Sequence, residues 1–198
     1  MTARPVGYLV NHKPGVLASD PGILYNYLLA GNGLFIRAEG PLLRATVRVA
    51  EAQVRGLEGL DERIELVHGL APASLWVEAL RIMMLDPSRE RYAAITWENG
   101  SYHVREPVQE AGANSVHYAR LPNTVVDIHS HGAMRAFFSG QDDRDEQGFS
   151  ASIVVGRLDQ LVPEASLRVS VYGYYAPLTW QEIFAPPLVG VLHYACTP

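Results

Sequence analysis

A mixed β-sheet covered by helices, in the α/β class, is the fold that the sequence predicts, and three features predict it. Apolar residues recur at helical spacing over residues 74–85. An Asn99-Gly100 pair between two apolar runs marks a hairpin. A β-branched run at 124–128 leads into a short acidic helix and two further strands.

Taken in order, residues 1–67 alternate apolar runs with glycine breaks, as at Gly31-Asn32-Gly33 before Leu34-Phe35-Ile36-Arg37, and read as short strands and turns followed by an amphipathic stretch around Leu43 to Leu57. They form a β-rich N-terminal extension to a domain spanning 68–198. Ser74 to Leu85 reads as a helix with a serine at its start and Pro87 as its stop; Met83 and Met84 read as core. Tyr92 to Trp97 and Tyr102 to Val104 are the strands of the hairpin, because a tight type I′ turn needs positive φ at both central residues and Asn-Gly supplies it. Thr124 to Ile128 is a strand, Gln141 to Gly148 a short helix, and Ser152 to Arg157 and Leu167 to Tyr175 two more strands separated by a turn at Pro163. The tail, with Pro177 and Pro186-Pro187, reads as irregular surface chain.

The composition narrows the function. Of 198 residues, 48% are hydrophobic and 19% charged, enough for a sizeable core. A formal net charge of -5, with Lys and Arg scattered singly, argues against nucleic-acid binding. No apolar stretch is long enough for a signal peptide or a bilayer span, so a soluble, cytoplasmic protein is expected. Cys196 is the only cysteine, which leaves histidine and carboxylate as the available metal ligands.

The segment that carries chemistry runs from Asp127-Ile128-His129-Ser130-His131 to Ser139-Gly140-Gln141-Asp142. On a strand, residues two apart share a face, so His129 and His131 can present two imidazoles to one point. Ser139 is placed as an N-cap and Asp142 as the third helical residue, in the first turn facing back to the loop. Each half has an ordinary structural reading, as surface histidines or as a helix start. Together they supply two imidazoles and a carboxylate around an open fourth position, the ligand set of catalytic zinc.

His129, His131, Ser139 and Asp142 match the signature of the JAMM metalloproteases of the MPN (JAB) domain class, which the chain resembles over roughly residues 70 to 185. The resemblance implies a central mixed sheet between helices, similar to the cytidine deaminase fold. It implies zinc (Zn2+) on His129, His131 and Asp142, with Ser139 helping to hold the oxyanion of the tetrahedral intermediate. It further implies hydrolysis of an amide bond at the tail of ubiquitin or a ubiquitin-like protein. Where the family usually has proline after the second histidine, this chain has Gly132. The surroundings, Ala136-Phe137-Phe138-Ser139 and Asp142-Asp143, resemble a bacterial subgroup called PRTRC system protein A. That subgroup is associated with a ThiF-like activating enzyme, a ubiquitin-like protein and a ParB-related protein.

The general base of the family lies upstream in a pattern resembling E-x-x-G-x-L-x-G. Glu90 fits it, with Ala93, Ile95 and Trp97 at the matching offsets and neither glycine present; Glu98, beside the hairpin turn, is the rival and reads as solvated. His12, His68, His103 and His117 read as structural or solvated, Asp127 as a possible partner of a ligand, and Asp143, Asp145 and Glu146 as complements to a helix N-terminus. Alternative functions are a catalytically inactive MPN-type binding module and a hydrolase of a small amide metabolite.

Overall fold

The computed structural model describes residues 4–12, 16–18, 21–111, 116–119 and 121–186. A first sheet holds β1 (Val6–His12), β2 (Val16–Ala18), β3 (Tyr25–Ala30), β4 (Gly33–Glu39), β5 (Leu43–Glu51) and β6 (Arg63–Leu66), in the order β2-β1-β3-β4-β5-β6. All its pairings are antiparallel except β1 with β3. The amphipathic stretch at Leu43 is thus strand β5, whose pattern of buried and exposed residues follows the pleat.

After β7 (Ala71–Pro72) comes helix α1 (Ser74–Met84), and then the hairpin of β8 (Tyr92–Glu98) and β9 (Ser101–Arg105). Asn99 and Gly100 have φ of 51° and 82°, the left-handed pair that the predicted turn requires. Ala73, rather than Ser74, occupies the N-cap of α1, without a side-chain cap. Met83 is buried in the core, whereas Met84 is 43% exposed and is not core.

A short β10 (Gln109–Ala111) and β11 (Val116–Tyr118) pair with each other; then follow β12 (Thr124–Ser130), α2 (Gly140–Asp145), β13 (Phe149–Gly156), β14 (Glu164–Val171) and β15 (Tyr174–Pro177). The strand predicted over Leu167 to Tyr175 is therefore two strands. Tyr172 and Gly173 turn the chain with φ of 49° and 90° between them. The predicted irregular tail instead starts in β15 and contains α3 (Trp180–Ile183) and β16 (Phe184–Ala185), the latter pairing in parallel with β7. Residues 187–198 lie outside the described residues.

The second sheet has the order β15-β14-β13-β12-β8-β9 and is mixed, as predicted: β12 and β13 run parallel, joined through α2, and the other neighbours are antiparallel. Helices cover less of it than expected. Among the described residues there are three, and α2 and α3 are only six and four residues long. On one face Ala93, Ile95, Ile128, Ile153 and Leu167 join Trp76, Ala79 and Met83 of α1 and Ile36, Ala45 and Val47 of the first sheet in one buried cluster. Sheet and helix thus share the covering of this face. The opposite face, with Asp127, His129, Ser152, Arg168 and Ser170, is also buried although it is polar. No helix among the described residues is long and apolar enough to cross a membrane.

Candidate metal centre

Strand β12 is central, with β8 on one side and β13 on the other, and it carries His129 next to its carboxyl end, in the first strand of a β-α-β unit. His129 is opposite Tyr92 on β8 and Val154 on β13. The ladder is extended one step past the strand: the His131 amide donates to the Val155 carbonyl at 2.7 Å. Both imidazoles are therefore fixed by main-chain bonds on a central strand.

Ser130, between them, is fully buried and points elsewhere. Its Oγ accepts from the Arg91 amide at 3.0 Å, and its own amide donates to the Arg91 carbonyl at 2.9 Å. These two bonds fix the chain one residue after Glu90. Gln109 grips the next residue, accepting from the Tyr92 amide at 2.7 Å and donating to its carbonyl at 3.2 Å.

After His131 the chain turns at Gly132, whose φ is +57°. A Cβ built there would lie 2.9 Å from the Pro87 carbonyl oxygen. Proline, with φ held near −65°, cannot adopt this turn. The glycine that departs from the family pattern is thus matched to the path of this loop.

Helix α2 opens with Ser139 as N-cap and Asp142 as third residue. The Ser139 Oγ accepts from the Asp142 amide at 3.3 Å, and Asp142 Oδ2 accepts from the Ser139 amide at 2.6 Å, a capping box. The other carboxylate oxygen, Oδ1, stands 3.1 Å from His129 Nε2. His131 Nε2 lies 3.2 Å from His129 Nε2 and 3.8 Å from Asp142 Oδ2. Ligands bound tetrahedrally at about 2.0–2.2 Å stand roughly 3.3–3.6 Å apart; the two imidazole nitrogens and an Asp142 oxygen, all within 4.8 Å of one another, are grouped closely enough to converge on one zinc-sized ion.

The electrostatics suit the same ion. Burial, together with the neighbouring His129, lowers the His131 pKa to about 4 against the pull of Asp142, so its imidazole is neutral at pH 7, as a ligand must be. Burial opposes ionisation of Asp142, but the hydrogen bond and charge of His129 and the hydrogen bonds of Ser139 overcome it and hold the carboxyl well below the usual range. A neutral imidazole and a carboxylate are thus presented together.

Glu90 is 8% exposed and close enough to the group for both His129 and Asp142 to act on its charge; burial is the main cause that raises its pKa. Glu98 is elsewhere, at the turn end of the hairpin. There it pairs with Arg105 at 2.8 Å and accepts from Thr96, which lowers its carboxyl to about 2. Asp127 shares the face of His129 and accepts from the Tyr92 hydroxyl at 2.6 Å. His68 stacks on Trp97 at 4.2 Å and His103 bonds the Ser101 hydroxyl at 2.8 Å, both structural contacts; His12 is exposed, and the His117 side chain lies outside the described residues.

Sequence reasoning read Asp143 and Glu146 only as complements to a helix dipole and did not single out Arg168. The structure joins them. Arg168 Nη1 donates to Asp143 at 2.6 Å and Nε to Glu146 at 2.9 Å. Its position between Val169 and Leu167 gave no signal, because a polar residue alternating with apolar ones on a strand ordinarily faces water.

Among curated proteins none matches the chain. A family model described as prokaryotic homologs of the JAB domain matches residues 68–170, just over half of the chain, from ahead of α1 into β14. That span contains Glu90, the two histidines, Ser139 and Asp142. By this match over more than half of its length, the chain belongs to the prokaryotic homologs of the JAB domain.

Proposed function

We propose that the protein is a zinc-dependent peptidase or isopeptidase that hydrolyses an amide bond at the C-terminal tail of a ubiquitin-like protein. The observation that carries this reading is the convergence of His129 Nε2, His131 Nε2 and an Asp142 oxygen within 4.8 Å of one another, on a scaffold that holds each by main-chain or capping bonds. Zinc held there supplies Lewis-acid polarisation of a carbonyl and lowers the pKa of a water toward neutrality.

The remaining roles fall to the chain. Glu90, buried within electrostatic range of His129 and Asp142 and with its proton affinity raised, takes the proton of the attacking water and passes it to the leaving nitrogen. Ser139 uses an oxygen lone pair to cap α2, which leaves its hydroxyl proton to be donated to the developing oxyanion. Phe137, 47% exposed and edge-on to the His131 ring at 5.1 Å, gives an extended peptide an apolar surface next to the reacting bond. The ubiquitin-like substrate itself rests on the resemblance to the JAMM signature and to the PRTRC subgroup.

The test combines metal content with cleavage. Wild type is expected to carry about one zinc per chain and to cleave a ubiquitin-like protein fused at its C-terminus. His129→Ala/His131→Ala loses the metal. Glu90→Gln keeps the metal and loses roughly 10²–10⁴ in rate, the usual range for a positioned base. Equal zinc in wild type and the double variant would remove the site from consideration, and turnover of a small acyl amide without cleavage of the fusion would move the substrate class.

A further inference from the structure

Asp142 is the one ligand of the three that is not carried by the central sheet. It sits on α2, a helix of six residues of which none is buried, so no apolar face holds this helix in place. A helix this short has little stability of its own. What holds it must be polar, and the structure gives the holder: Arg168 and Ser170 on the buried face of β14, with Tyr175 of β15.

Arg168 on β14 reaches α2 at two points, Asp143 beside the ligand and Glu146 at the C-cap, at 2.6 and 2.9 Å. Its guanidinium lies between two rings, 3.8 Å from the centre of Phe138 and 4.1 Å from that of Tyr175. Phe138 immediately precedes Ser139, so Arg168 touches the segment before, beside and after the ligand turn. Ser170 donates to the carbonyls of Glu146 and Gly148, and the Tyr175 hydroxyl to the carbonyl of Asp143 at 2.8 Å. The Arg168 side chain is only 8% exposed. A guanidinium offers in one rigid plane the fork that two carboxylates need and the flat faces that two rings need; an ammonium offers neither.

We infer that Arg168 is a positioning residue for the metal site: by clamping Phe138, Asp143 and Glu146 it fixes the turn that aims Asp142 at His129 and His131. The inference rests on the proposed reading of those three residues as metal ligands. Arg168 does not touch the ligand atoms and acts through Asp142 alone.

The experiment is a zinc competition titration of the chelator-stripped full chain against a chromogenic chelator, using wild type, Arg168→Lys, Asp142→Ala and the double variant, with circular dichroism to establish folding. Arg168→Lys is expected to raise the zinc Kd about 10- to 100-fold, the range found when groups that orient ligands are removed. In the Asp142→Ala background the same change is expected to add less than about twofold, because the ligand through which Arg168 acts is already gone. Asp143→Asn, at a half-exposed side chain, supplies a second folded variant, with a smaller rise of the same sign.

An unchanged zinc Kd in the folded Arg168→Lys and Asp143→Asn proteins would overturn the inference and leave the metal site standing. So would a full-sized effect of Arg168→Lys in the absence of Asp142. A wild-type protein that takes up no zinc would overturn the site itself, and this inference with it.

Discussion

Glu90 is buried beside His129 and Asp142, and burial raises its pKa above the usual carboxylate value. A raised folded-state pKa means that ionising the group works against folding. That cost is absent below the unfolded value near 4.5 and develops as pH rises through the raised folded value. The metal-free protein carrying Glu90→Gln is therefore expected to melt above wild type at pH 7 and to match it near pH 4. Thermal melts in chelator at the two pH values check this. A lower midpoint at pH 7 would mean that the Glu90 charge is satisfied in the fold. Glu98 shows the contrasting case: a carboxylate paired with Arg105 at the turn end of the hairpin has its pKa pulled down.

At the scale of elements, the decisive unit is β12, the following loop and α2. The strand aims two side chains by its pleat, and the helix returns the third by its capping box. The loop between them must turn sharply at Gly132, where φ is +57° and the Pro87 carbonyl leaves no room for a Cβ. Two more bonds depend on that path: Leu158 donates to the Gly132 carbonyl at 2.9 Å and Met134 to that of His131 at 3.1 Å. Gly132→Ala is expected to lose about 1–3 kcal/mol, from left-handed strain and the close contact, and Gly132→Pro more than that, although proline is the residue usual in the family at this place. Denaturant unfolding gives both values. A proline variant as stable as wild type would show that the loop can take the other path without loss.

Across the whole molecule, the two six-stranded sheets share the main interior, and the first sheet buries only a small cluster of its own, Leu9, Leu28, Ala30 and Phe35. Ile36, Ala45 and Val47 from the first belong to the same buried cluster as Ile153, Leu167 and Val169 from the second, and the Tyr27 and Tyr174 hydroxyls meet at 2.9 Å across the junction. Residues 68–198 made alone would expose those apolar positions of β13 and β14 to water. We therefore expect that fragment to lack a cooperative thermal transition and to bind a hydrophobic dye, while the full chain melts in one step. A sharp, dye-silent transition in the fragment would mean that residues 1–67 are dispensable to the core.

The sequence by itself determined the local devices: the Asn99-Gly100 turn, the helix that ends before Pro87, the His-x-His pair on one strand face and the capping box at Ser139. Each is set by φ preference, pleat or hydrogen bonding among residues a few positions apart, so spacing alone carries it. Only the tertiary structure decided that the first sheet, together with α1, covers the second; that Leu167 to Tyr175 breaks at Tyr172-Gly173; that Glu90 is buried within electrostatic range of His129 and Asp142 while Glu98 pairs with Arg105; and that Arg168 grips α2. The alternation Leu167-Arg168-Val169-Ser170-Val171 is that of a strand with one face in water, and periodicity cannot tell a polar face that meets solvent from one roofed by a helix and two aromatic rings. Whether a polar side chain is solvated or clamped depends on partners about twenty to thirty residues away in sequence, such as Asp143 and Phe138, which only the folded chain brings to it.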